Sequence, residues 1–226
     1  MKTIIFLHGA LGAAAQFDTL LPYLSPHYNC IVLDLPLHGI NKDIVTPSIE
    51  TYADYVIHCI EQNKHQSVSL FGYSMGGYIA LLIAHRRPDL IEKVLTLATK
   101  FEWTHPSANK QLSMLNPTMM QEKIPSYTSY LNTLHHAIEW NEVVNNTYQI
   151  IEKLIAHPPI DHKLLSEIKI PCRLGVGDQD TMVTLQETID AYKQLQLGSL
   201  YVLPSTPHPL EKVNPQLIAQ QCINYF

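Results

Sequence analysis

Gly72-Tyr73-Ser74-Met75-Gly76 sets one serine between two glycines, directly after the apolar run 67–71. A chain that turns sharply from a strand into a helix, with serine at the apex, leaves no room for side chains two residues to either side. Glycine satisfies that constraint. Gly77 and the apolar segment 78–84 then read as the helix, which ends at Arg86-Arg87-Pro88. At a helix N-terminus the Ser74 oxygen is exposed, and neighbouring backbone N–H groups and the helix dipole favour developing negative charge. The chemistry this suits is nucleophilic attack on a carbonyl. A chance match in a glycine-containing turn is the competing reading, and the strand before and helix after favour the nucleophile.

A serine hydroxyl is a poor nucleophile until a base takes its proton. The chain holds 12 histidines, so position must choose among them. His208 follows a short strand-like run, 200–203, in a proline-punctuated loop near the C-terminus. Upstream, the run 172–177 reads as a buried strand leading straight into Asp178-Gln179-Asp180. The chain order is therefore serine, aspartate, histidine, each just beyond the C-terminal end of an expected strand. By spacing alone either aspartate can serve.

That order and four motifs resemble the α/β-hydrolase superfamily over nearly the whole chain. Ile4-Ile5-Phe6-Leu7-His8-Gly9-Ala10-Leu11-Gly12 looks like the family's oxyanion strand and HG loop. Asp34-Leu35-Pro36-Leu37-His38-Gly39 resembles its D-x-P-G-H-G loop, with Leu37 in place of the usual glycine, so the resemblance leaves that turn open. Gly177-Asp178-Gln179-Asp180-Thr181-Met182-Val183 is similar to the G-x-x-D-x-x-V segment, which puts the acid at Asp180 and leaves Asp178 to support the loop. His208 falls where the family's loop histidine falls. The resemblance implies a catalytic set of Ser74, His208 and Asp180, with the backbone N–H groups of Met75 and Ala10 forming the oxyanion hole. It gives His8 and His38 structural roles, His38 with some prospect of touching substrate.

The elements that must hold these residues alternate strand and helix. Strands are expected at 3–7, 30–35, 67–71, 93–98, 173–176 and 199–203, and a strong helix at 48–62. Thr184 with Glu187 makes a capping box, and Asn214-Pro215 an N-cap with proline at the first helical position. The fold class is α/β: a mostly parallel, doubly wound sheet of about six core strands with helices on both faces. The resemblance places the first strand between the second and third, a switch point where a ligand crevice forms. The hairpin with which many members begin is expected to be missing.

Residues 101–165 break the alternation, with helices expected at 107–115, 117–123, 126–140 and 142–157. On this fold the stretch looks like a small helical cap inserted within a single domain, 1–226. It holds Trp103 and Trp140, with Phe101, Tyr127, Tyr130, Tyr148, Met114, Met119 and Met120. Packing against the body is the plainer expectation for any one of these, yet together they leave an apolar roof suited to a small molecule. Leu11, Lys100, Trp103, Tyr127 and Trp140 are the candidates for substrate contact. His135 and His136 are adjacent, so on a helix they point about a hundred degrees apart and do not form a chelating pair. Neither a metal nor a cofactor is expected.

A net charge of −5 and the lack of any lysine or arginine run argue against nucleic acid or an anionic membrane surface as partner. Cys30, Cys59, Cys172 and Cys222 are widely spaced with no C-x-x-C, so reduced thiols are expected. The apolar run after Met1 is cut at His8-Gly9, too short for a signal peptide, and a cytoplasmic location is expected. The oligomeric state has no signature in the sequence. The expected function is a serine hydrolase that acts on a small ester or related carbonyl compound through an acyl-enzyme. Alternatives are a carbon–carbon lyase of the menaquinone-pathway type, a perhydrolase, or a non-catalytic ligand-binding protein on the same fold. The chain has three arginines, Arg86, Arg87 and Arg173, none placed to clamp a carboxylated substrate. Lys100 is the cation expected nearest the pocket, with Lys110 and Lys123 weaker candidates.

Overall fold

Side chains alternate across a strand, so a sheet buried on both faces needs apolar residues at consecutive positions. In β1 (Thr3–Leu7), Ile4 and Phe6 join the core on one face, while Ile5 and Leu7 join the core on the other. The computed structural model describes residues 1–43, 45–62, 67–103 and 105–226. Its sheet also contains β2 (Asn29–Leu33), β3 (Val68–Tyr73), β4 (Ile91–Leu97), β5 (Cys172–Gly177) and β6 (Gly198–Leu203). All pairings are parallel, in the order β2-β1-β3-β4-β5-β6. The expected α/β class and switch point are therefore present, with β2 and β3 on opposite sides of β1. β2 stops at Leu33, short of the expected 35, because the Leu35 N–H leaves the ladder and donates to His8 Nε2 at 3.1 Å.

One face of the sheet carries α2 (Ile49–Gln62), α3 (Met75–Arg86), α8 (His162–Glu167) and α9 (Leu185–Tyr192). The other carries α1 (Leu21–Leu24), the 3-10 turn Ala14–Phe17 and α10 (Pro215–Tyr225). The capping box of α9 and the Asn214 cap of α10 both form as the sequence predicts. Among the described residues no helix is long and apolar enough to cross a membrane.

Between β4 and β5 lie α4 (His105–Met114), α5 (Pro117–Lys123), α6 (Pro125–Leu134) and α7 (Trp140–Ala156). Along α7, Val143, Val144, Thr147, Ile150, Ile151 and Leu154 form one apolar stripe at helical spacing. Its C-terminal half packs on the main core through Ile150 and Leu154. Its N-terminal half makes a small cluster of its own, in which Val144 meets Met120 and Leu131. The helix expected at 126–140 is shorter than that. It ends at Leu134, and a turn closed by Ile138 N–H donating to the His135 carbonyl (2.8 Å) separates it from α7. His135, at the C-terminal cap of α6, continues the buried face formed by Thr128 and Leu131.

Helix α3 is buried on every side and docks directly under the ends of β1 and β3. Its glycines permit that approach: a Cβ on Gly76 would lie 2.1 Å from the Leu7 carbonyl oxygen, and one on Gly72 would lie 2.4 Å from Gly77 Cα. Both obstacles are backbone and cannot rotate away. Gly76→Ala should therefore destabilise the protein by about 1–3 kcal/mol or more, read as a lower urea midpoint at unchanged m-value. A midpoint within experimental error of the parent would show that α3 can slide off the strand ends.

Candidate active site

Ser74 stands between the last residue of β3 and the first of α3, with φ 51° and ψ −115°. Non-glycine residues rarely occupy this region, and it persists only where the surroundings over-determine it. They do so here. The Ser74 N–H donates to the Leu97 carbonyl at 2.8 Å, while its own carbonyl accepts from Gly77 N–H (3.0 Å) and Thr99 Oγ1 (3.2 Å). Met75 opens the helix, so its N–H has no intrahelical acceptor and lies beside Ser74 at the cavity wall.

His208 reaches Ser74 from the loop after β6: its Nε2 lies 3.4 Å from Ser74 Oγ, and its Nδ1 donates to Asp180 Oδ2 at 2.8 Å. The first distance is long, as is common before substrate binds. The Asp180 side chain is fully buried. Its other oxygen accepts from the backbone N–H groups of Met182 and Val183, each at 2.8 Å. The carboxylate is thus fixed by three donors, and the proton it holds on Nδ1 leaves Nε2 as the acceptor facing the serine. Asp178 points elsewhere. It accepts from Thr206 N–H at 3.0 Å, tying the two loops together, and backbone donors of Thr206 and Ser205 hold its carboxyl below the usual range. Tyr73, inside the serine motif, donates its hydroxyl to the His208 carbonyl at 2.5 Å and secures that loop from below. Nothing in the sequence singled out Tyr73.

Tyr73, Ser74, Met75 and His208 line a cavity of about 370 Å³ together with Ala10, Leu11, Lys100, Trp103 and Tyr127. Met114, Leu115, Met120 and Ile124 form the roof, and Ile150, Ile151 and Leu154 of α7 close the far side. Trp140, expected to touch substrate, does not line it. As the first residue of α7 it packs on the cap's own cluster of Met120, Leu131 and Val144. Lys100 is present at the wall, but it is not a free cation: its Nζ lies 3.7 Å from Glu187 Oε1 and both side chains are buried. Lys110 and Lys123 do not line the cavity. The charge that sequence reasoning missed is Glu211, at the rim three residues past His208, where it accepts from Tyr130 (3.0 Å) and Gln16 (2.5 Å). A larger, open groove of about 440 Å³ lies between Leu37, Lys42 and His136 on the cap seam and contains none of Ser74, His208 or Asp180.

Three buried histidines lie behind the loops that carry Ala10 and Asp34. His8 Nδ1 donates to the Gly9 carbonyl (2.9 Å), His38 Nδ1 to that of Pro36 (3.0 Å), and His135 Nε2 to that of Leu11 (3.0 Å). The rings of His8 and His38 are 5.1 Å apart, and those of His38 and His135 5.8 Å. Burial lowers the pKa of His8 to about 4, that of His38 well below the ordinary value, and that of His135 below it. His38 is sealed between His135 and Tyr52 and makes no part of the cavity wall. Leu37, standing where a glycine was expected, adopts the left-handed conformation itself, with φ 62°. Among the described residues no group of His, Cys, Asp and Glu side chains has the arrangement to hold a metal ion.

The model of the alpha/beta hydrolase fold family matches residues 2–210. The chain belongs to that family. An uncharacterised hydrolase of Bacillus subtilis, YugF, is 26% identical over 246 aligned positions, covering 100% of this chain and 90% of its own. A Haemophilus influenzae protein, named provisionally as a 2-succinyl-6-hydroxy-2,4-cyclohexadiene-1-carboxylate synthase, is 45% identical over 85 residues, 37% of this chain and 34% of its own. Among solved structures, NosK of Streptomyces actuosus superposes with a TM-score of 0.83 at 18% identity, covering 99% of this chain and 96% of that one. At that identity the likeness speaks for the fold.

The neutral histidines make stability depend on acidity. In the unfolded chain each protonates near its reference pKa of about 6.5, whereas in the native protein each stays neutral to lower pH. Their contribution is complete above about pH 6.5 and is lost as pH falls toward the native values, by up to about 1.4 kcal/mol per pH unit for each histidine. Urea unfolding between pH 7 and pH 4.5 should show this decline, and His38→Phe should make it shallower by about one proton. An unchanged slope in that variant would show that His38 is protonated in the native protein.

Proposed function

We propose that the protein is a serine hydrolase that cleaves neutral, short-to-medium acyl esters through an acyl-enzyme. The observation that carries this reading is the continuous line from Ser74 Oγ through the His208 ring to Asp180, opening onto an apolar cavity. His208 takes the serine proton as Ser74 attacks the carbonyl, then delivers it to the leaving alcohol. Asp180 holds the ring in the tautomer that accepts at Nε2 and stabilises the imidazolium as it forms. The N–H groups of Met75 and Ala10 receive the negative charge on the carbonyl oxygen. Water then attacks the acyl-enzyme as His208 takes one of its protons, and His208 returns that proton to Ser74 Oγ as the acid leaves.

The preference for neutral substrates rests on the charges at the wall. Lys100 is matched by Glu187, so the unbalanced charge is the Glu211 carboxylate at the rim. No arginine can offset it: Arg86 pairs with Asp54, Arg87 with Glu61 and Asp89, and Arg173 lies over the Tyr225 ring. The partial similarity to the Haemophilus protein favours a second reading, a lyase acting on a carboxylated substrate. The compound in that protein's name carries a succinyl and a carboxylate group, and such groups are normally held by guanidinium forks that this cavity lacks.

Ser74→Ala should abolish turnover of a chromogenic ester and labelling by a fluorophosphonate while leaving the thermal midpoint unchanged. Asp180→Asn should lower kcat by up to about 10⁴-fold, because it offers His208 the wrong hydrogen-bonding partner. Asp178→Asn should retain most of the activity, and the opposite ranking would move the acid role to Asp178. Substrate class has its own test: kcat/KM for a butyrate ester should exceed that for the matching hemisuccinate, and Glu211→Gln should narrow the gap. A clear advantage for the hemisuccinate would favour the lyase reading.

A further inference from the structure

His135 comes from the cap, lies outside the Ser74–His208–Asp180 line, and is fully buried with both ring nitrogens engaged. Its Nδ1 accepts from Gly39 N–H at 2.9 Å, and its Nε2 meets the Leu11 carbonyl at 3.0 Å. A backbone N–H can only donate and a carbonyl only accept, so the ring is neutral with its proton on Nε2. The Leu11 carbonyl it holds belongs to the turn that carries Ala10.

That turn transmits orientation through two peptide planes. The Leu11 carbonyl and the Gly12 N–H belong to one planar peptide unit, so fixing the first fixes the direction of the second. Gly12 N–H donates to the Gly9 carbonyl at 3.0 Å, and that carbonyl shares its own peptide plane with the Ala10 N–H. His8 Nδ1 is the second donor to the Gly9 carbonyl, at 2.9 Å. Leu11 sits between the two planes at φ 58°, a conformation a leucine leaves readily unless it is held. Beyond the turn, the chain is pinned again where Ala14 N–H donates to Asp34 Oδ1 at 2.7 Å.

Resting on the proposed serine hydrolase reading, we infer that His135 is a positioning residue that aims the Ala10 N–H at the developing oxyanion through the Leu11–Gly12 and Gly9–Ala10 peptides. Seating of the cap and assembly of the oxyanion site are then one event, because the cap supplies the donor that holds the turn.

The test uses two variants that each keep one of the two hydrogen bonds. Asparagine places its amide where Nδ1 lies and preserves the Gly39 contact, whereas glutamine reaches the Nε2 position and preserves the Leu11 contact. Inhibition constants are measured for a trifluoromethyl ketone, which forms an oxyanion with Ser74, and for the matching methyl ketone, which does not. His135→Asn should weaken the trifluoromethyl ketone about tenfold or more while leaving the methyl ketone within about twofold, and His135→Gln should keep both near wild type. Equal losses on both ketones, or equal behaviour of the two variants, would overturn the inference and leave His135 as packing. If His135→Asn does not fold, His135→Phe, which fills the same volume without either bond, carries the comparison. Failure of the wild-type protein to react with a fluorophosphonate at Ser74 would instead overturn the hydrolase reading.

Discussion

A serine backbone held at φ 51° is the constraint from which the rest of the site follows. The left-handed turn reverses the chain so that Oγ stands clear at the end of the sheet and the following N–H groups face the same space. It cannot exist alone. It needs β4 alongside, so that the Leu97 carbonyl takes the Ser74 N–H, and β1 on the other side, so that α3 can pass under the strand ends. The glycines at 72, 76 and 77 are the local consequence, since a Cβ at any of them would meet backbone or the Thr99 hydroxyl. Strain at one residue is thus supported by the most buried layer of the molecule.

Charge is arranged around this point by pairing and burial. The Asp180 carboxylate is saturated by an imidazole and two backbone donors, so its charge is directed at His208. Lys100 and Glu187 cancel at the wall, and Glu187 also accepts from the Phe101 N–H (3.0 Å), which steadies the chain as it leaves β4 for the cap. Two of the three buried histidines, His8 and His135, act as neutral connectors, each accepting from one backbone N–H and donating to one carbonyl, whereas His38 bonds the Pro36 carbonyl alone. Neutral imidazole is well suited to this work, having one donor and one acceptor on a rigid ring.

The strand-helix alternation, the serine motif and both helix caps were legible because each depends on neighbours a few residues away. A glycine two residues from a serine, a threonine three before a glutamate and a proline after an asparagine carry their physical meaning locally. Asp180 over Asp178 was legible only through the family's motif register, since the residues themselves left either open. The break in the helix expected at 126–140 was hidden, because apolar spacing continues through the turn that separates α6 from α7. Trp140 misled for the same reason, because its type suggests a cavity wall and its helix turns it to the cap's interior.

The sequence by itself determined the alternation of strands and helices, the place of a sharp turn at Ser74, and the residue types able to activate it, all set by short-range sterics and periodicity. Tertiary structure alone decided which histidine meets which carbonyl, that Lys100 is neutralised by a residue 87 positions away, and that Glu211 faces the rim. Those outcomes depend on where distant loops come to rest over the sheet. Long-range contacts of that kind leave no local pattern, since any charged or aromatic residue in a loop reads alike until the packing of the helices aims it.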